Sequence, residues 1–179
     1  MTTRVIARPS AARSAATADS PVPFSIRLLR RAKPLVLALL RSPLHRLLSA
    51  DILALTWRGR RSGREYTLPL SYVRAPDRND VVYLCTRPEG SRWWRNFRGG
   101  VECHALVGGR RCRAQADVLD PDSDEALAGL RLFVTRNPGT GRMLYNIEPR
   151  RDGNGPTGPD PEDLAREVAN SVVLRLRLS

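Results

Sequence analysis

Lysine is all but missing from this chain: of its 30 basic residues, only Lys33 is not arginine. In a sequence rich in Ala, Gly and Pro that bias reflects base composition as much as selection, so the placement of the arginines, not their number, carries information. Cysteine is scarce too. Cys85, Cys103 and Cys112 are odd in number and form no paired spacing, which argues against a disulfide framework or a thiolate metal site. Reduced thiols packed as small hydrophobes, as in a cytoplasmic protein, are expected instead. No apolar run approaches the ~18–20 residues that span a bilayer, and the longest near the N-terminus, Pro34 to Leu40, is closed by Lys33 and Arg41. Residues 1–20 offer arginine, serine and alanine without an apolar centre, so no secretory signal is expected there. Acidic residues are absent from the first fifty positions except for Asp19, against nine bases. Eight of the twelve net positive charges therefore precede the expected core, and the body is only mildly basic. That body also lacks the interleaved aromatic and basic strands of a single-strand reader, which disfavours nucleic acid as a partner. Neither a catalytic triad nor a metal cluster is in evidence, and His104, alone on a strand, reads as structural.

What is present suits one domain. A chain of 179 residues with 41% hydrophobic content can bury a core. Three regions are expected: a disordered lead over 1–22, a basic amphipathic helical segment over 23–50, and a domain over 51–179. In the second, Pro34 and Pro43 divide a leucine- and arginine-rich stretch into short helical pieces. Residues 24–48 suit either of two compatible roles, covering one end of the domain or lying against the inner face of an anionic membrane as a peripheral contact.

The centre of the chain is Leu53 to Val73. An apolar run ends at Trp57, a turn carries Arg58, Gly59, Arg60, Arg61, Ser62, Gly63 and Arg64, and a second strand-like run starts at Tyr66. Two such runs around a glycine-containing turn predict a hairpin. Guanidinium forks bind oxyanions bidentately, so this tip reads as a clamp for phosphate or carboxylate, or simply as a solvated basic turn. Further strands are predicted over Val81 to Thr86, over Val101 to Val107 and Arg110 to Leu119 around Gly108-Gly109, and over the alternating end Val172 to Leu178. Helices are predicted over Arg92 to Arg98 with Ser91 as N-cap, Pro121 to Thr135, and Glu162 to about Ser171. Asn137 to Gly141 reads as a stop, Arg142 to Ile147 as a short apolar segment, and Glu148 to Pro161 as a long mobile loop. Hairpins without a βαβ rhythm make this an α+β chain, mainly an antiparallel split β-barrel with short surrounding helices.

Gly59-Arg60-Arg61-Ser62-Gly63 followed by Pro69-Leu70, then Trp93-Trp94-Arg95-Asn96-Phe97 ahead of the Gly108-Gly109 hairpin, resembles the deazaflavin-dependent nitroreductase family of split-barrel oxidoreductases, related to pyridoxamine phosphate oxidase. The resemblance covers roughly Pro43 to Leu119. It implies a reduced deazaflavin, coenzyme F-420, lying in a groove of the barrel and passing a hydride to a nitro, quinone or other conjugated acceptor. Its anionic tail or phosphate would meet Arg60, Arg61, Ser62 and Gly63, with Pro69 completing the motif, and Trp93, Trp94 and Asn96 would border the groove. Arg87 would match a basic phosphate contact, and Tyr145 would reach the substrate pocket. The family carries arginine at the position of Tyr66, so Arg64 would stand in for it. The fold equally accepts FMN, making an FMN-binding oxidoreductase the nearest alternative, and a non-catalytic cofactor- or lipid-binding barrel another. Some barrels of this kind pair to build the groove from two chains, so a homodimer is compatible with the reading.

Overall fold

Ser71 and Val73 lie on opposite edges of one sheet with only Tyr72 between them, and that connection forces the sheet to curl. The computed structural model describes residues 33–89, 91–147, 149–152 and 155–179, giving only the backbone of 149–152 and 155–157. The expected lead over 1–22 and the first ten residues of the basic segment lie outside the described residues. Strands β1 (Ile52–Arg58), β2 (Glu65–Ser71), β3 (Val73–Arg74), β4 (Val81–Thr86), β5 (Val101–Val107), β6 (Arg110–Val118) and β9 (Val172–Leu178) form one antiparallel sheet in the order β2-β1-β5-β6-β9-β4-β3. Tyr72 is buried at the join; its hydroxyl donates to the Ser49 carbonyl at 2.8 Å, and its N–H donates to the Asp51 carbonyl at 3.0 Å.

Side-chain alternation gives the curled sheet two faces with different cores. Inside sit Leu53 and Leu55 of β1, Cys103, Ala105 and Val107 of β5, Ala114 and Ala116 of β6, and Leu174 and Leu176 of β9. Small residues on β5 and β6 leave room for leucines from the facing strands, each worth about 1.5–3 kcal/mol on burial. The hairpin between β5 and β6 turns at Gly108 and Gly109, both at positive φ as a two-residue turn of this kind requires. The outer face of β3, β4 and β9 is covered by α2 (Asp124–Arg136), α3 (Pro138–Tyr145) and α4 (Pro161–Ala169), with Leu130, Phe133, Tyr145, Ile147, Leu164 and Val173 in a second core.

The N-terminal described part is α1 (Lys33–Arg41) and a 3-10 turn, Pro43–Leu47, divided at Ser42 before the expected Pro43. Leu40 is buried, whereas Leu35, Leu44 and Leu47 are exposed. Among the described residues no helix is long and apolar enough to cross a membrane.

The chain is α+β, an antiparallel half-barrel sheet with short helices, as its patterning predicts. Three local expectations are corrected. Asn137 ends α2, but Pro138 then starts α3 instead of a loop, because proline's fixed φ and missing N–H suit the first turn of a helix; Asn146, at φ 51°, closes it. The expected loop over 148–161 holds a two-stranded hairpin, β7 (Pro149–Asp152) with β8 (Gly155–Pro159). Ser91 does not cap the tryptophan helix with its side chain: Arg92 occupies that position, and the Ser91 carbonyl accepts the indole N–H of Trp94 at 2.9 Å.

Candidate functional site

The turn between β1 and β2 is closed by its own backbone. Gly59 N–H donates to the Arg64 carbonyl and Gly63 N–H to the Gly59 carbonyl, both at 2.8 Å, while Gly63 takes φ 62°, open to glycine at little cost. Gly59 leaves room for a neighbouring side chain. A Cβ there would stand 2.7 Å from Cε2 of Tyr66 and 2.8 Å from Oγ of Ser62, so any larger residue would push the Tyr66 ring off the turn. With glycine in place, Tyr66 lies over Trp57, its partner across the strands, with ring centroids 5.8 Å apart and planes 27° from parallel. Its hydroxyl pairs with the Ser62 hydroxyl at 3.2 Å.

The second wall is the 3-10 helix Trp93–Phe97. Asn96 joins it to the turn: its Oδ1 accepts the Arg60 N–H at 3.1 Å, and its Nδ2 donates to the Trp93 carbonyl at 2.8 Å. An asparagine at this point fixes two separate segments with one amide. Trp93 and Phe97 complete an aromatic floor with Trp57, at 6.1 Å and 5.4 Å from its ring.

Between these walls lies an open cleft of about 860 Å³. Arg60 and Arg61 come from the turn, and Arg92 and Arg95 from the helix side. Among the described residues no carboxylate lines it, and none of these four arginines forms an ion pair. Arg95 rests on Trp94, its guanidinium carbon 5.5 Å from that ring. Four uncompensated guanidiniums over an aromatic floor form a donor set for an anion attached to a planar group.

Of the residues singled out in the sequence, Arg60, Arg61, Ser62, Trp93 and Asn96 line this cleft together. Gly63 and Arg64 belong to the same turn, although neither lines the cleft; Arg64 N–H donates to the Ser62 hydroxyl at 3.3 Å. Pro69 sits opposite Ala54 in β2, beyond the cleft-lining Leu68. Trp94 is buried in the inner core, with Arg98 over its ring at 4.9 Å. Arg87 and Tyr145 lie elsewhere. Arg87 donates to the Leu144 carbonyl and pairs with Glu167, and its guanidinium carbon stands 5.5 Å from the Tyr145 ring. Tyr145 is only 1% exposed, edge-on to Phe133 in the second core. Its hydroxyl proton is held well above the usual tyrosine range by burial first, and then by Cys85.

Sequence reasoning passed over Trp57, Tyr66, Arg92 and Arg95. The signal for the first two was their mirror placement at the strand ends of a hairpin, which makes them a cross-strand pair. For the arginines it was the spacing from Asn96 along one short helix.

No family model matches the chain. A Mycobacterium tuberculosis protein named for quinone reductase activity dependent on reduced coenzyme F-420 is 32% identical over 73 residues, 39% of this chain and 60% of the relative. The match therefore spans less than two thirds of that relative's length. Among solved structures, a 5-nitroimidazole antibiotic resistance protein from Bacteroides thetaiotaomicron is 18% identical, with 74% of this chain and 75% of that one covered, at a TM-score of 0.42. The general stress FMN/FAD-binding protein of Xanthomonas citri is 17% identical, covering 74% and 78%, also at 0.42. An F-420 reductase is 15% identical, covering 77% and 94%, at 0.37. The half-barrel is shown by this chain's own strand order.

Proposed function

We propose that this chain, a member of the deazaflavin-dependent nitroreductase family, is an oxidoreductase that holds reduced coenzyme F-420 in the cleft between the β1–β2 turn and the tryptophan helix. The observation that carries the reading is the set of four arginines, Arg60, Arg61, Arg92 and Arg95, lining one cleft with no carboxylate among them. The coenzyme carries a phosphate and an acidic tail, and this donor set fits both. When bound, it would supply a hydride to a nitro, quinone or other conjugated acceptor.

The protein's own part is binding and orientation, because redox chemistry of this kind resides in the cofactor. Arg60 and Arg61 hold the anionic end from the turn, and Arg92 and Arg95 from the opposite wall. Asn96 keeps the walls at a fixed separation through Arg60 N–H and the Trp93 carbonyl. Trp93, packed beside Trp57, supplies an apolar surface against which a ring system can lie out of water. None of these steps needs a paired acid and base, and among the described residues none lines the cleft.

A fluorescence titration of the protein with coenzyme F-420, and in parallel with FMN, tests the reading. Saturable micromolar binding of the deazaflavin in preference to FMN is expected, followed by turnover of the reduced form with nitro or quinone acceptors. Preference for FMN would keep the cleft and replace the cofactor. Binding of neither would overturn the assignment.

A further inference from the structure

Trp57 sits at the end of β1 and lines the arginine cleft. It is 4% exposed, and its indole Nε1 is one of two buried side-chain polar atoms without a hydrogen-bond partner among the described residues. Buried donors are nearly always satisfied, because leaving one unpaired forfeits its hydration for nothing. Tyr66, Trp93 and Phe97 surround this indole with aromatic rings, and the one oxygen among them, the Tyr66 hydroxyl, pairs with the Ser62 hydroxyl instead.

The cover over Trp57 is uneven. Phe97 is fully buried, whereas Tyr66 is 43% exposed and rests on the indole, with its hydroxyl bonded only to the Ser62 hydroxyl among the described residues. Tyr66 is thus the neighbour whose displacement costs least. We infer that Trp57 is a ligand-binding residue: when a planar anionic ligand enters the cleft, the Tyr66 ring gives way and the Trp57 indole N–H donates to a carbonyl or phosphate oxygen of that ligand. The donor that finds no partner among the described residues is paired in the complex. This assignment rests on the cofactor reading above and adds to it a neutral hydrogen-bond donor beside the four charged ones. The donor selects for a ligand with an acceptor atom next to its flat surface, which charge alone does not.

The test follows the three indole N–H signals of the 15N-labelled full chain by NMR during titration with coenzyme F-420 and with FMN. Trp57→Phe assigns the Trp57 signal by its loss; if that variant does not fold, Trp93→Phe and Trp94→Phe assign it by elimination. The expected result is a downfield shift of the Trp57 indole proton and slower exchange at saturation. Affinity of a folded Trp57→Phe protein should fall on the order of tenfold, the scale of one hydrogen bond. A Trp57 signal that neither moves nor gains protection at saturation would overturn the inference while leaving the cofactor assignment standing, as would a folded Trp57→Phe protein of wild-type affinity. If the wild-type protein bound neither compound, the cofactor assignment would fail first and this inference with it.

Discussion

Two groups of arginines on this molecule have opposite surroundings. On the helix-covered side, Arg87 is matched by Glu167 and the Leu144 carbonyl, and Arg175 by Glu125 and by Asp117 at 3.8 Å. In the cleft, Arg60, Arg61, Arg92 and Arg95 line a space with no carboxylate among its described lining residues. The same side chain is therefore placed in two kinds of surroundings. A guanidinium whose donors are satisfied within the fold holds elements together; one whose donors face an uncompensated space is available for an external anion. Position in the sequence does not separate the groups, because Arg87 and Arg92 are five residues apart.

The largest expected effect breaks the matched group. Arg87→Ala leaves Glu167, whose side chain is 17% exposed, without its cation, and releases the end of α3 from β4. Removing one partner of a well-buried pair costs 3–5 kcal/mol; Arg87 itself is 30% exposed, so about 2–3 kcal/mol is expected from denaturant midpoints. Coenzyme affinity of the folded protein should stay unchanged. Lost affinity with stability intact would move Arg87 into the binding group and erase the distinction. Arg61→Ala should do the reverse. Losing a charge-assisted contact to an anion weakens binding by about 1.5–3 kcal/mol, while an exposed turn residue should change stability by less than about 0.5 kcal/mol. Calorimetry beside thermal unfolding separates the two; a stability loss without an affinity loss would refute the clamp.

The sequence carries much of the fold, and the reasons differ by region. Strand alternation in Val172 to Leu178, and paired glycines at 108 and 109, impose their geometry locally, so both were legible. The Gly- and Pro-rich stretch after Asn137 was not: proline is as suited to a helix's first turn as to a loop, and only packing of Tyr145 and Ile147 into the second core decides for α3. Half of the cleft was equally readable. The basic turn and Asn96 announce themselves by residue type, whereas Arg92 and Arg95 acquire meaning only because Asn96 brings their helix against the turn, a contact between residues 60 and 96. Arg87 and Tyr145 show the converse. Their chemistry suits a site, but their surroundings within the second core are set by helices that follow far along the chain.

The smallest effect concerns the inner core, where Cys103 is buried. Burial pushes the Cys103 thiol up to about 12, so it stays protonated in the fold long after the unfolded chain's thiol, with an ordinary value of ~8.5, has ionised. Between those two values the unfolded state holds fewer protons than the native one, and stability falls as pH rises. Tyr83 adds in the same direction at higher pH, since burial first, then the charge of Glu125, raises it, and its hydroxyl donates to that carboxylate at 3.2 Å. The thiol's contribution is fully present below pH ~8.5, and its loss by about pH 10 amounts to roughly 1–2 kcal/mol. Cys103→Ala should remove that part of the slope, which chemical denaturation of both proteins at about pH 8 and 10 would read as a smaller drop in the variant. Equal drops would mean that water reaches the inner face of β5 and that burial does not hold the Cys103 thiol protonated.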